Sequence, residues 1–144
     1  GPVMDLCQRL DLLVLTHTSE PVGHVYPGKG RTTPDKVYSF IGNFPDNKVV
    51  CAHWGGGLPF YGLMPEVMRA MANVYFDTAA SPLVYDSQIY SQVARLVGPE
   101  MVLFGTDFPL VSYHGALEQV KKSMLAGTDR KKVLGHNAVS LLGL

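Results

Sequence analysis

The chain has no surplus of either charge. Lys plus Arg and Asp plus Glu number 12 each, for a formal net charge of zero. That balance gives no footing for nucleic acid or an anionic membrane as a partner. The longest basic cluster, Arg130-Lys131-Lys132, reads as the polar start of a terminal helix. No run approaches the ~18 apolar residues of a membrane span. The N-terminus has no basic region followed by an apolar segment, so no secretory leader is expected. Cysteine is scarce. Cys7 and Cys51 are expected to be reduced core thiols of a cytoplasmic protein, not a disulfide. Low-complexity tracts and residue-level repeats are also missing.

What remains is apolar material in short runs. Hydrophobic residues make up 47% of 144 and charged residues 17%, enough for one domain over residues 1–144 with a substantial core. Four runs share a pattern. Leu12–Thr16 ends on His17, Lys48–Ala52 on His53, Asn73–Phe76 on Asp77-Thr78, and Met101–Phe104 on Gly105-Thr106-Asp107 before Pro109. Continuous apolar runs of this length suit strands buried on both faces. Helical patterns alternate with them: about 3–10, 34–44 behind a Thr33 cap and Pro34, 64–72, 86–97, 114–126 ended by Gly127, and a last helix capped by Asp129 and running to about Leu142. Strand alternating with helix predicts an α/β fold with a parallel four-stranded sheet and right-handed crossovers.

Parallel strands bring their C-terminal ends to one edge, so His17, His53, Asp77 and Asp107 are expected on a common face. Imidazole and carboxylate are good ligands for Zn²⁺ or Mn²⁺. A histidine beside such an ion, still free to exchange protons, can act as general acid or base. Asp107 is hard to explain as packing, because an unpaired buried carboxylate is costly; Asp77 serves equally well as a cap on the turn through 78–82. In His53-Trp54-Gly55-Gly56-Gly57, three glycines either let the backbone approach a ligand or make a tight strand-to-helix turn. They lack the G-x-G-x-x-G spacing of a nucleotide loop. Trp54 and Tyr61 either wall a pocket or are simply buried. The Gly- and Pro-rich stretch 17–32 reads as a long functional loop, whose His24 and Lys29 either contact an anionic substrate or are solvated. Asn137 is expected to tie the last helix to a loop, with His136 exposed.

Thr-His-Thr-Ser-Glu-Pro-Val-Gly-His at 16–24, Ala-His-Trp-Gly-Gly-Gly-Leu-Pro-Phe-Tyr at 52–61, Phe-Gly-Thr-Asp-Phe-Pro-Leu at 104–110 and Asn-Ala at 137–138 resemble the amidohydrolase-related metal-dependent hydrolases and decarboxylases. The resemblance implies the (β/α)₄ half of a TIM-type (β/α)₈ barrel, strands five to eight. It implies His17 as the fifth-strand metal ligand and His53 as the sixth-strand histidine, a proton donor or acceptor in the decarboxylases and able to be a ligand in the hydrolases. Asp107 becomes the eighth-strand aspartate, a metal ligand or a base for the metal-bound water; His24, Trp54 and Tyr61 are the candidates for substrate contact that the residues themselves suggest. The implied cofactor is a divalent metal, Zn before Mn. The implied activity is hydrolysis or non-oxidative decarboxylation of a small carboxylated or carbonyl-bearing molecule.

The family's first-strand His-x-His is absent from this sequence, and a barrel of this type needs about 250 residues. The chain is therefore expected to be a half barrel with weaker metal binding than a complete site. It would close its open edges as a homodimer or against a missing N-terminal half, and a non-catalytic half-barrel is the alternative role.

Overall fold

A computed structural model describes residues 1–144 and divides them into two compact units, Gly1–Phe76 and Asp77–Leu144. The first unit runs α1 (Pro2–Arg9), β1 (Val14–Thr16), α2 (Pro34–Asn43), β2 (Val49–Cys51), a single turn α3 (Ala52–Gly55), a 3₁₀ turn (Leu58–Tyr61), α4 (Pro65–Ala70) and β3 (Val74–Asp77), whose last residue begins the second unit. β1 pairs with β2 and β2 with β3, both parallel, with Thr16 opposite Cys51 and Cys51 opposite Phe76. The four strands of the sheet follow sequence order, β1-β2-β3-β4.

Local sequence explains the helices. Thr33 precedes Pro34 at the first position of α2, where proline's missing N–H costs nothing. Val37 and Ile41 then fall on one face, both 1% exposed. Val49, Val50, Trp54, Leu58 and Phe76 are buried in the same unit, each such side chain contributing about 1.5–3 kcal/mol by leaving water. Asn47 donates its side-chain amide to the Met4 carbonyl at 2.9 Å, fastening α1.

β2 is buried at all three positions, as a central parallel strand should be. β1 departs from expectation. Leu15 is 66% exposed and Leu12 49%, because β1 lies at the edge of the sheet and has a neighbour on one side only.

The second unit continues from Asp77 through α5 (Ser81–Val84), α6 (Ile89–Val97), a 3₁₀ turn (Pro99–Met101), β4 (Val102–Leu103), α7 (Tyr113–Lys122), α8 (Gly127–Lys131), a π-helical turn (Lys132–His136) and α9 (Asn137–Leu142). Tyr90, Val93, Val102, Ala116, Val120 and Val133 are its buried apolar residues. β4 is shorter than the apolar run 101–104 because the Phe104 N–H leaves the sheet and donates to the Val133 carbonyl at 3.1 Å.

α7 stops at Lys122, not near Gly127. Ser123 turns extended, and its hydroxyl donates back to the Val120 carbonyl at 2.6 Å. Gly127 instead opens α8, and Asp129 lies in that helix's first turn behind Ala126. Asn137 does the tying expected of it, donating to the carbonyls of Pro99 and Val102, each at 2.8 Å. His136 is exposed, and both cysteines are free thiols, Cys51 buried and Cys7 partly so.

Candidate functional site

In the first unit, β1 and β2 deliver their histidines to the same end. His17 follows Thr16 directly, and His53 stands two residues beyond Cys51. The two rings meet edge to face, their centroids 4.9 Å apart and their planes at 71°. His17 is exposed and His53 half-buried.

The backbone that carries His53 is unusual. His53 (φ 53°) and Trp54 (φ 58°) both adopt left-handed conformations, and Gly55, Gly56 and Gly57 continue with positive φ. Left-handed geometry at a non-glycine residue costs about 1–3 kcal/mol and persists only where the surroundings enforce it. Here they do. A Cβ on Gly56 would lie 2.5 Å from the Ser19 carbonyl oxygen, and one on Gly55 would lie 2.7 Å from the Phe76 ring. The glycines therefore let the turn press between the start of the 17–32 loop and β3. Trp54 has no exposed surface; its indole is buried. Thr18 binds the same turn, its hydroxyl donating to the Ala52 carbonyl.

The His17 side is held by a second set of bonds. Ser19 Oγ lies 2.9 Å from His17 Nε2 and accepts the Gly30 N–H at 2.9 Å. The Ser19 N–H donates to the Thr32 carbonyl at 2.9 Å. A Cβ on Gly30 would reach 3.0 Å from His17 Nε2, so the far end of the loop folds tightly over the imidazole. Ser19 and Gly30 are the positioning residues that sequence reasoning passed over. Ser19 lies two residues beyond His17, in the quoted 16–24 motif.

Further out, His24 is exposed, with its ring 5.4 Å from that of Tyr26. Lys29 spends its ammonium group on the loop itself, donating to the carbonyls of Val22 at 2.7 Å and His24 at 3.0 Å. It is a loop brace at an exposed position, in keeping with a solvated loop residue. Tyr61 is half-exposed and lines a cavity of about 440 Å³ with Pro21, Pro34, Tyr38, Leu58 and Met64. That size and apolar lining suit a small organic molecule.

In the second unit, Asp107 is exposed, four residues beyond β4, with a left-handed backbone (φ 63°). Phe108 and Tyr113 stack beside it at 5.5 Å. Asp77 closes β3 and accepts the Ala79 N–H at 2.9 Å, the turn-capping role.

Chemically, the paired imidazoles suit a borderline divalent ion. The pair supplies nitrogen donors of the type such an ion takes, and no group of three or more His, Cys, Asp or Glu side chains is gathered to hold one.

The family description named amidohydrolase matches residues 1–144, and the chain belongs to that family. No curated protein matches it. Among solved structures it is similar to a dihydroxybenzoic acid decarboxylase from a Polaromonas species with bound manganese and 2-nitroresorcinol (TM-score 0.78, 19% identity, 99% of this chain and 53% of that one). It is also similar to a TIM-barrel protein from Bordetella bronchiseptica (TM-score 0.72, 20% identity, 99% and 49%). A third likeness is to an amidohydrolase from Burkholderia multivorans with bound zinc (TM-score 0.70, 16% identity, 98% and 56%). At these identities the likeness establishes the fold, half of a TIM-type barrel of the amidohydrolase kind. The chain spans about half the length of the solved structures it matches.

Proposed function

We propose that this chain carries half of a divalent-metal site that hydrolyses or decarboxylates a small carboxylated or carbonyl-bearing molecule. The observation behind the proposal is the His17–His53 pair at the C-terminal ends of adjacent parallel strands, held on a strained turn of the kind found at functional sites. Relatives of the same fold contain manganese and zinc, and imidazole ligands favour zinc, with manganese second.

In this reading His17 is a ligand of the ion, and Asp107 keeps the role of metal ligand or base that the family resemblance implies for it. Bound there, the ion supplies Lewis acidity, polarising a substrate oxygen or easing deprotonation of water. His53 moves the proton. In decarboxylation the bond to the carboxylate breaks, CO₂ departs, the electron pair stays on carbon, and His53 delivers a proton to that carbon. In hydrolysis water attacks the carbonyl carbon, and His53 or Asp107 takes its proton and passes it to the leaving group. His24 and Tyr61 bound the substrate, and Trp54 is buried behind the strand end that carries His53 in the sequence.

The open side of β1 supports an association. Leu12 and Leu15 on the edge strand and Val3, Leu6 and Leu10 on α1 are all exposed, a stretch that calls for cover by a second copy or by an N-terminal half barrel. The two free thiols suit a reducing compartment such as the cytoplasm.

The test is metal content and turnover together. Zinc- or manganese-loaded protein should lose metal in His17→Ala. With His53→Asn it should keep metal but release CO₂ from hydroxybenzoic acids, or hydrolyse a simple ester or amide, about 10²–10⁴-fold more slowly. Metal uptake indifferent to His17→Ala contradicts the reading. Metal without turnover of either substrate class leaves the half-barrel as a non-catalytic assembly unit.

A further inference from the structure

We propose that the cavity between α2, the 3₁₀ turn at Leu58–Tyr61 and the start of α4 is a binding site for a small organic ammonium ion, a protonated amine whose apolar body is about the size of one aromatic ring. The proposal goes beyond the metal reading and does not rest on it; Tyr61 is the one residue the two share.

Local sequence builds the cavity. Pro34 and Tyr38 are four residues apart and so lie on one face of α2. Leu58 and Tyr61 begin and end the 3₁₀ turn, Met64 directly precedes α4, and Val67 lies within it. These residues line one space of about 440 Å³, within the range of small-molecule sites. Pro34, Leu58 and Val67 are buried and make its floor. Tyr38, Tyr61 and Met64 are exposed and make its rim.

The charge in the wall decides what fits. Asp35 also lines the cavity, and no lysine, arginine or histidine does. The Thr33 hydroxyl donates to the Asp35 carboxylate and holds its carboxyl below the usual range, so the group is ionised at neutral pH. The adjacent Lys36 spends its ammonium on the Arg31 carbonyl at 2.6 Å. An anion in the cavity would meet the Asp35 charge with no cation in the wall to offset it. A protonated amine meets an opposite charge, and tyrosine rings attract a cation over their faces. Its apolar body covers the floor and leaves water. A carboxylated molecule of the kind proposed for His53 is the class this cavity turns away.

Three probes of one shape test the assignment: phenethylammonium, 2-phenylethanol and 3-phenylpropanoate, which are cationic, neutral and anionic. Each is titrated in low-salt neutral buffer, where charge pairs are least screened, into protein carrying ¹³C at the methionine methyls. The Met64 signal is assigned by its loss in Met64→Leu. Phenethylammonium should shift it saturably, with a Kd of about 1 mM or below. The alcohol should bind about tenfold more weakly, and the carboxylate should not saturate. Asp35→Asn should bring the ammonium level with the alcohol. Val67→Phe, which places a ring on the floor, should weaken both.

The signals of the other methionines report whether each variant is folded, and Asp35→Asn, at an exposed position, keeps the test alive should Val67→Phe not fold. An ammonium that gives no saturable shift, an alcohol or a carboxylate that binds wild type as well as the ammonium, or an Asp35→Asn protein that keeps the preference would overturn the proposal. A folded Val67→Phe with undiminished affinity would do the same. Measured on metal-free protein, the outcome is independent of whether His17 holds an ion.

Discussion

Gly56→Ala is the sharpest perturbation of the strained turn. The added methyl would sit 2.5 Å from the Ser19 carbonyl oxygen and 2.8 Å from its carbon, on a backbone with φ +61°. The left-handed conformation costs an alanine about 1–2 kcal/mol. Relieving a contact with backbone, which cannot rotate away, adds about 1–3 kcal/mol of overpacking. The sum, about 2–5 kcal/mol, corresponds to a fall in Tm of about 5–15 °C for a chain of this size.

The single tryptophan, Trp54, lies inside the turn, so its fluorescence reports melting of the unit in question. Gly42→Ala is the control. Gly42 is exposed in α2, and a methyl there meets nothing within 4 Å; it should stabilise the protein by about 0.5–1 kcal/mol. A Gly56→Ala protein that melts with wild type would refute the close approach of the turn to Ser19, and with it the reason for three successive glycines.

Other outcomes follow from the same contacts. Asn137→Ala removes two 2.8 Å hydrogen bonds to the Pro99 and Val102 carbonyls and should cost about 2–3 kcal/mol by circular-dichroism melting; Asn137→Asp, unable to donate, should rescue nothing. Lys29→Met frees the Val22 and His24 carbonyls, so limited proteolysis of the 17–32 loop should speed up several-fold while the Trp54 melt moves by less than about 1 kcal/mol. The Thr33 hydroxyl holds the exposed Asp35 carboxyl below the usual carboxylate range. That contribution is present above the ordinary carboxyl pKa of about 3.9 and is lost as pH falls through the lower folded value. Thr33→Val should therefore lower stability slightly above about pH 4, neutral pH included, and leave it unchanged at pH below the lowered folded value, so the acid side of the profile flattens.

The parallel topology was legible because β2 and β3 are apolar runs with little alternation, and because each of the four runs stops at a polar residue. His17 and His53 could be paired in advance for the same reason: neighbouring parallel strands must bring their ends together. Three features were not legible. Periodicity says nothing about strand position in a sheet, so Leu15 read as core although an edge strand leaves it exposed. Nothing in His53-Trp54 announces a left-handed backbone; only the glycines after it hint at one, and Gly56 lies against the Ser19 carbonyl, 37 residues earlier in the sequence than Gly56. The carbonyl partners of the exposed Lys29 were the third, because a lysine in a glycine-rich loop gives no sign that it will cap that loop's own carbonyls.

Sub-stoichiometric Mn²⁺ added to ¹⁵N-histidine-labelled protein offers the most direct test that the imidazoles at 17 and 53 serve one ion. Paramagnetic broadening should erase the His17 and His53 ring signals first and together, while His114 and His136 stay sharp. Sharp signals from His17 and His53 at an equivalent of manganese, or five histidines fading alike, would contradict the account.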